Sequence, residues 1–341
     1  MELKPSREAF CKLAAETNLI AVAKEINMDL DTPVSVYYKL VGEKKGFILE
    51  SVDTTHQQFG RFSFIGAEPF ARLQVFKDKL MINENGLMKC IMGEPVKTIK
   101  KYMQGYRPAV EDASLPLANG GMVGYLNYDI VATFDRVRGM EIGEEELLGQ
   151  FMICRVLVVY DAQHNSARLI CLADTKGRDA NEAYDAVAEK IAKVEARLAA
   201  PLAPQASEAT KRREKVDFLK RFGKAPEDFL EAIHKAKEHI FAGDIFQVVP
   251  SRQFREKITK PCFHFYRRLR QVNPSPYMFY FNFGSVKLVG ASPEMLVKVA
   301  GDTVYTYPIA GTRRRGRDAA EDAALANALK GDTNDCAEHS K

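Results

Sequence analysis

Strand-like segments follow one another in the second half of the chain, the last four with only short turns between them. Five such segments lie between residues 245 and 311, and turn sequences at 282–285 and Gly301-Asp302 separate neighbouring ones. Parallel strands need a crossover of a dozen or more residues, for which these turns leave no room. A helix over residues 225–244, with Gly243 placed to end it, precedes the strands. This order predicts an α+β fold with antiparallel sheets, not a parallel doubly wound fold.

The first part of the chain alternates helix and strand patterns. Ser6 is placed to cap a helix that runs to about Thr17, and residues 180–198 carry apolar residues near helical spacing. Residues 46–51 predict a strand, and residues 120–125 predict a strand in tight backbone packing. Two hairpins are predicted, over residues 71–86 and over residues 151–173 with its turn at 162–165. An Ala-, Pro- and Ser-rich stretch without an apolar period follows. We therefore predict a first domain over residues 1–200, a linker over 201–215 and a second domain over 216–341.

Charge and apolar patterning exclude several classes of protein. The 49 Lys and Arg side chains against 45 Asp and Glu leave a net charge of only +4, so no overall field argues for nucleic acid or an anionic membrane as a partner. No apolar stretch approaches the ~18 residues of a membrane-spanning helix. The six cysteines lie far apart without a CxxC pair, which predicts reduced, mostly buried thiols in a cytoplasmic protein.

Three arginines follow directly after the last strand-like segment, in "TYPIAGTRRRG" (306–316). Gly311 lets a ligand approach the backbone, and Thr312 adds a hydroxyl and an N–H group, so the segment suits a small substrate that carries a carboxylate. A solvated basic turn after an edge strand explains the same residues. The segment alone does not decide between these two interpretations.

Two carboxylates near residue 341, Asp335 and Glu338, are three residues apart and would share one face of a helix. Such a pair could hold a hard cation such as Mg²⁺, or serve as an acid and a base. The alternative is an exposed acidic turn of a helix.

Several segments taken together resemble the chorismate-utilising enzymes. In the second half they are "GDIFQVVPSRQF" (243–254), "NPSPYMFYF" (273–281), "GASPEMLVKV" (290–299), "YPIAGTRRRG" (307–316) and "AEH" (337–339). In the first half they are "FILES" (47–51), "GRFSFIGAEP" (60–69) and "GGMVGYLNYD" (120–129). The resemblance implies two orthogonally packed, mainly antiparallel β-sheets flanked by helices. It also implies that residues 1–200 are a regulatory domain and 216–341 the first part of a chorismate-binding catalytic domain.

Two positions distinguish members of this family by their product. Relatives that make 4-amino-4-deoxychorismate typically carry a lysine nucleophile in the PIxGT segment, where this chain has Ala310. Relatives that add water to chorismate carry a lysine, suited to a general base, where this chain has Gln247. Ammonia has a free lone pair and needs no such base, so Gln247 fits ammonia as the nucleophile.

The resemblance then implies a lyase that converts chorismate and ammonia to anthranilate and pyruvate with Mg²⁺, at the start of tryptophan synthesis. Gly311 and Thr312 correspond to contacts with chorismate, Gln247 and Thr312 to the catalytic site, and Glu338 to a Mg²⁺ ligand. A glutamine amidotransferase subunit is the implied source of ammonia, because the sequence offers no Cys-His glutaminase arrangement of its own.

The same resemblance implies feedback inhibition by tryptophan. The matching residues are Glu50, Ser51, Pro276, Tyr277 and Met278. A hydroxyl and backbone groups suit the polar end of an amino acid, and aromatic and Met surface suits its indole ring. The alternative is that the residues of "PYM" are ordinary sheet residues.

The sequence departs from the family pattern near its end. Asp332, Thr333, Asn334 and Asp335 stand where the family usually has Asp-x-Lys-Glu. The sequence stops at Lys341, before the region in which the family holds a second Mg²⁺ ligand and further contacts with chorismate, so we expect the 341-residue chain alone to make no anthranilate. Two other functions stay open: an enzyme that makes 4-amino-4-deoxychorismate, and an inactive fragment that only binds tryptophan or the partner subunit.

Overall fold

The computed structural model describes residues 2–52, 61–109, 120–202, 222–223, 225–245, 247–309 and 311–332. The chain divides into two compact units: unit 1 comprises Met1–Ala203 and Pro261–Pro293, and unit 2 comprises Pro204–Lys260 and Glu294–Lys341. The segment from Pro261 to Pro293 therefore packs in unit 1, whereas the sequence analysis assigns it to the second domain.

Helices and strands are both abundant in the described residues. The helices are α1 (Arg7–Ala14), α2 (Pro33–Leu40), α3 (Pro95–Met103), α4 (Ala180–Ala199), α5 (Glu227–Ala242), α6 (Cys262–Val272) and α7 (Ala319–Gly331), with a 3-10 helix at Tyr128–Thr133. The strands are β1 (Leu19–Asn27), β2 (Gly46–Glu50), β3 (Phe62–Val75), β4 (Lys79–Glu84), β5 (Leu87–Met92), β6 (Met122–Leu126), β7 (Gly149–Asp161), β8 (Ser166–Asp174), β9 (Tyr277–Asn282), β10 (Lys287–Ser292), β11 (Met295–Ala300) and β12 (Thr303–Tyr307).

A ten-stranded antiparallel sheet organises unit 1. Its strand order is β1-β8-β7-β3-β2-β9-β10, with β4 and β5 added beside β3 and β6 beside β7. Apolar residues are buried on both faces: Ile48 belongs to one core cluster and its neighbour Phe47 to the other, because successive side chains of a strand point to opposite faces. The α+β class with antiparallel sheets and flanking helices is thereby confirmed.

The pairing of β2 with β3 and β9 joins distant parts of the sequence. Phe47 stands opposite Gly66 of β3, and a Cβ atom at Gly66 would lie 2.1 Å from the Phe47 ring. On the other side, Ile48 pairs with Tyr280 and Glu50 with Met278. Strand β2 is therefore fixed between two partners, and its last residues lie beside the first residues of β9.

Unit 2 has a different character. It contains α5, α7 and the two-stranded β11–β12 sheet. No described residue of α5 or α7 is buried, and every residue of β12 is exposed. Its elements are therefore exposed to solvent over most of their surface.

Most local signals in the sequence are confirmed. The Ser6 hydroxyl accepts a backbone hydrogen bond from the first turn of α1, and Gly243 ends α5 with a φ of 80°. The turn predicted at residues 162–165 joins β7 to β8. A Cβ atom at Gly124 would lie 2.0 Å from the carbonyl oxygen of Gln150, which is the tight packing predicted for β6.

Two predictions about the second half were wrong. Residues 247–254 form no strand, and Val248 and Val249 are exposed. The sequence analysis placed only strand-like segments between residues 245 and 311, and the structure has α6 there. On α6, for which the sequence analysis makes no prediction, Phe263 and Tyr266 are three residues apart and share the buried face.

The cysteine prediction was right about oxidation state and wrong about burial. All five cysteines within the described residues are free thiols. Only Cys154 and Cys171 are buried, whereas Cys90 is exposed. Cys336 lies outside the described residues. Among the helices that the structure describes, none combines the length and apolar character that crossing a bilayer requires.

Candidate functional site

The two segments predicted to bind an amino acid meet in unit 1. Glu50 pairs with Met278 across β2 and β9, and the backbone N–H of Val52 donates to the carbonyl of Ser275 at 3.1 Å. Ser51 lies between these two contacts and therefore runs beside Pro276 and Tyr277. Pairing over a few residues thus brings together segments that lie more than two hundred positions apart in the sequence.

The last residue of β2, Glu50, has a buried carboxylate. The Glu50 side chain is only 1% exposed, and Arg270 of α6 donates to both of its oxygens, each at 3.0 Å. The Tyr266 hydroxyl donates to one of the same oxygens at 2.5 Å. Burial, followed by the negative charge of Glu50, raises the pKa of Tyr266 above its usual range, so this hydroxyl remains a donor.

Ser51, unlike Glu50, lacks hydrogen bonds from its side chain to the described residues. Its hydroxyl oxygen is buried, yet it has no hydrogen-bond partner among the described residues. Buried hydroxyl groups are normally bonded, because leaving one unpaired costs about 1–3 kcal/mol. An unpaired hydroxyl at this position is what a bound polar ligand would satisfy.

A cleft of about 380 Å³ adjoins Ser51. Its lining residues all belong to unit 1: Thr32, Pro33, Val34, Glu50, Ser51, Ser63, Tyr160, Ala162, Arg267, Arg270 and Gln271. Two arginines against one glutamate leave one net positive charge, which favours a ligand with a carboxylate. Tyr160, Pro33 and Val34 supply apolar surface for the rest of such a ligand.

The other predicted residues of this site differ in accessibility. Pro276 and Tyr277 are half-buried, whereas the Met278 side chain is buried in the core with Tyr280. The Met278 thioether therefore packs in the core, and the residue is paired with β2 on one side and β10 on the other.

The predicted catalytic residues lie in unit 2. Gln247 and Thr312 are exposed outside regular elements, and Gly311 beside Thr312 is half-buried. Ala310, Asp335 and Glu338 lie outside the described residues. Within the part of the chain that the structure describes, no group of three or more His, Cys, Asp or Glu side chains is placed to hold a metal ion.

The basic block after Thr312 is paired with carboxylates. Arg315 donates to both oxygens of Asp322, and the Gly316 N–H donates to one of them at 2.7 Å. These bonds, that of Arg315 first, lower the pKa of Asp322 to about 2. Ion pairs also join Arg314 to Glu321, Arg317 to Glu321 and Arg313 to Asp332. Arg314, Arg315 and Arg317 therefore hold the loop against the first turn of α7, and Arg313 pairs with the residue after its last turn. The solvated-turn interpretation fits these arginines better than a substrate contact.

Comparison with known proteins assigns the family. The chorismate binding enzymes match residues 46–341. The chain belongs to that family.

Two curated relatives and one solved structure show what this chain is similar to. Anthranilate synthase component 1 of Acetivibrio thermocellus is 34% identical over 335 residues, which cover 96% of this chain and 66% of the relative. The protein of the same name from Synechocystis is 35% identical over 352 residues, covering 99% of this chain and 69% of the relative. The crystal structure of anthranilate synthase component I from Streptococcus pneumoniae superposes with a TM-score of 0.64 at 27% identity, covering 92% of this chain and 66% of that one. This chain thus spans about two thirds of the length of these relatives.

The sequence did not lead us to predict the two arginines of the cleft. Arg267 and Arg270 come from α6, which the sequence analysis did not predict as a helix. The available signal was the pattern "YRRLRQV" directly before "NPSPYM", since a helix there places charged side chains next to the ligand segment.

Proposed function

We propose that this chorismate-binding enzyme is the large component of an anthranilate synthase, converting chorismate and ammonia to anthranilate and pyruvate. The observation that carries the proposal is the 34–35% identity to proteins named anthranilate synthase component 1 over 96–99% of the chain. The name component 1 supports a partner, for which we propose a glutamine amidotransferase subunit that supplies the ammonia.

Gln247 and the segment from Gly311 to Thr312 are the residues we assign to this reaction. The lone pair of ammonia forms the new C–N bond, a hydroxyl of chorismate leaves as water, and the enolpyruvyl group leaves as pyruvate. A neutral Gln247 removes no proton from water, which favours ammonia over water as the nucleophile. Thr312 offers a hydroxyl, and Gly311 an accessible backbone N–H, to a substrate carboxylate. Mg²⁺ with Glu338 as a ligand belongs to the proposal.

Feedback inhibition by tryptophan is the second part of the proposal. Three observations support a regulatory amino-acid site in unit 1: the Ser51 hydroxyl has no partner among the described residues, the adjoining cleft has a net positive charge, and β2 meets β9. We place the polar end of tryptophan near Ser51 and its indole ring towards Tyr277, which lies beside Ser51 through the pairing of β2 with β9 and outside the lining of the cleft.

Product analysis with the full-length gene product tests the reaction. Incubation with chorismate, ammonium and Mg²⁺ should give anthranilate, seen by its fluorescence and by chromatography. Production of 4-amino-4-deoxychorismate instead would favour the other branch of the family, and no product at all would favour a binding-only protein.

A substitution of Gln247, the residue proposed to select ammonia, tests its role in the same assay. Gln247→Lys should lower anthranilate and yield isochorismate or salicylate, because a lysine can act as the base that water requires. Gln253→Lys, which changes an exposed glutamine in the same unit, is the matched control. Unchanged anthranilate output from Gln247→Lys would remove Gln247 from the assigned role.

A further inference from the structure

Helix α6 leads directly into the second segment of the proposed tryptophan site. It ends at Val272, and Pro276, four residues later, begins the ligand segment. Arg270 lies in its last turn and reaches Glu50, the residue before Ser51. One ion pair therefore joins the two chain segments that form the site.

The Glu50 carboxylate is largely occupied by this contact. An ionised carboxylate offers about four acceptor positions. Arg270 fills two of them through Nε and Nη2, and the Tyr266 hydroxyl fills a third. Ser51, the next residue, has a hydroxyl without a hydrogen-bond partner among the described residues. This difference in hydrogen bonding indicates different roles. Glu50 holds the end of the strand in place, and Ser51 presents its hydroxyl to the ligand.

Ser51 is held on both sides of its own position. Before it, Glu50 is clamped to α6, and after it, the Val52 N–H donates to Ser275 at 3.1 Å. Loosening the first of these contacts would free the Ser51 hydroxyl to move relative to Pro276 and Tyr277. Binding sites lose affinity when the residues that support their contacts are loosened, because the ligand must then order them.

We propose that Arg270 and Tyr266 are positioning residues of the regulatory site, which hold Glu50 so that the Ser51 hydroxyl faces the segment from Pro276 to Met278. The proposal rests on tryptophan regulation as proposed above. Arg270 acts through Glu50, and Tyr266 supports the same carboxylate from the buried side of α6.

Arg270→Lys tests this, with tryptophan affinity measured by calorimetric titration. Lysine keeps the charge but cannot make the two parallel hydrogen bonds of the guanidinium group. We expect the dissociation constant to rise about tenfold, which corresponds to about 1.4 kcal/mol. Tyr266→Phe, which removes only the hydroxyl, should weaken binding in the same direction.

Arg197→Lys is the matched control. Arg197 is 37% exposed against 34% for Arg270, and it bonds Glu68 at 3.1 Å and the carbonyl of Leu40 at 2.8 Å. It does not line the cleft. We expect Arg197→Lys to lower the thermal midpoint of unfolding and to leave tryptophan affinity unchanged.

The outcomes separate this proposal from the proposed function. If wild type binds tryptophan and Arg270→Lys binds equally well, the positioning role is wrong and the regulatory function stands. If Arg197→Lys weakens binding as much as Arg270→Lys, general destabilisation is the cause and the positioning role is again wrong. If wild type does not bind tryptophan, the regulatory function falls and this proposal with it. If Arg270→Lys fails to fold, Tyr266→Phe decides, and unchanged affinity there overturns the proposal.

Discussion

The two units hold their arginine–carboxylate pairs in opposite environments. In unit 1, Arg270 pairs with a Glu50 side chain that is 1% exposed. In unit 2, Arg315 makes the same two-pronged contact with Asp322, but these side chains are 88% and 31% exposed. The hydrogen-bond geometry of an arginine–carboxylate pair therefore does not by itself determine how much the pair stabilises the fold. A buried carboxylate depends on each of its donors, whereas water and salt replace the partner of an exposed one.

The same contrast separates the two parts of the proposed function. The candidate regulatory site in unit 1 is held by paired strands and by a buried ion pair. The candidate catalytic residues in unit 2, Gln247 and Thr312, lie exposed outside regular elements. Substitutions that compare equivalent contacts in the two units should reveal the difference.

Removal of one arginine from each unit should give the largest difference in the free energy of unfolding between the two units. Arg270→Ala leaves the Glu50 carboxylate buried with one remaining donor, Tyr266, and should lower the free energy of unfolding by about 3 kcal/mol. Arg315→Ala should leave the urea midpoint unchanged, because its pair is exposed. Urea denaturation of both variants and wild type measures this. A larger loss for Arg315→Ala than for Arg270→Ala would contradict the comparison.

Addition of one methyl group to a glycine of each unit gives a smaller contrast. Gly66→Ala would place its Cβ 2.1 Å from the Phe47 ring, and overpacking of this kind costs about 1–3 kcal/mol. Gly331 has no atom within 4 Å of the position of an added Cβ, so Gly331→Ala should be neutral or slightly stabilising. Thermal unfolding of both variants checks this, and equal midpoints would show that the packing of β2 against β3 is looser than described.

The acid dependence of stability gives the smallest effect. Burial opposes ionisation of Asp161, but hydrogen bonds from Arg61 and His164 and the Gln163 N–H lower its pKa to about 2. This pKa lies below the value of about 4 in the unfolded chain. The ionised carboxylate therefore stabilises the fold fully above about pH 4, and this stabilisation is lost as the pH falls through about 2.

Asp161→Asn should therefore cost about 1 kcal/mol at neutral pH and nothing below about pH 2. Unfolding curves of wild type and variant over this pH range provide the measurement. A constant difference at all pH values would mean that the carboxylate charge does not contribute.

Local chemistry explains which elements the sequence could predict. Ser6 and Gly243 act through their own backbone neighbours, so a cap and a helix end are readable from a few residues. A strand needs a partner, and Val248 and Val249 have β-type side chains but no strand pairing in the described part of the chain. Propensity alone therefore failed at residues 247–254.

The candidate site shows the same limit. The resemblance of short motifs suggested Ser51 and Tyr277, and β2–β9 pairing brings their segments together. The contact between Glu50 and Arg270 was not predictable, because Arg270 lies 220 positions away on a helix that the sequence analysis did not predict. Long-range ion pairs leave no periodic pattern in a sequence.

Direct observation of bound tryptophan tests the central claim, that unit 1 carries a formed regulatory site. The chain contains no tryptophan of its own, so the fluorescence anisotropy of added tryptophan reports binding when the excitation lies at the long-wavelength edge of its absorption, beyond that of the 13 tyrosines. We predict a saturable rise in anisotropy with wild type, its loss with Ser51→Phe, and no change with Ser285→Phe, which alters an exposed turn residue at the other end of β9. No saturable rise with wild type, or equal binding by Ser51→Phe, would contradict the account.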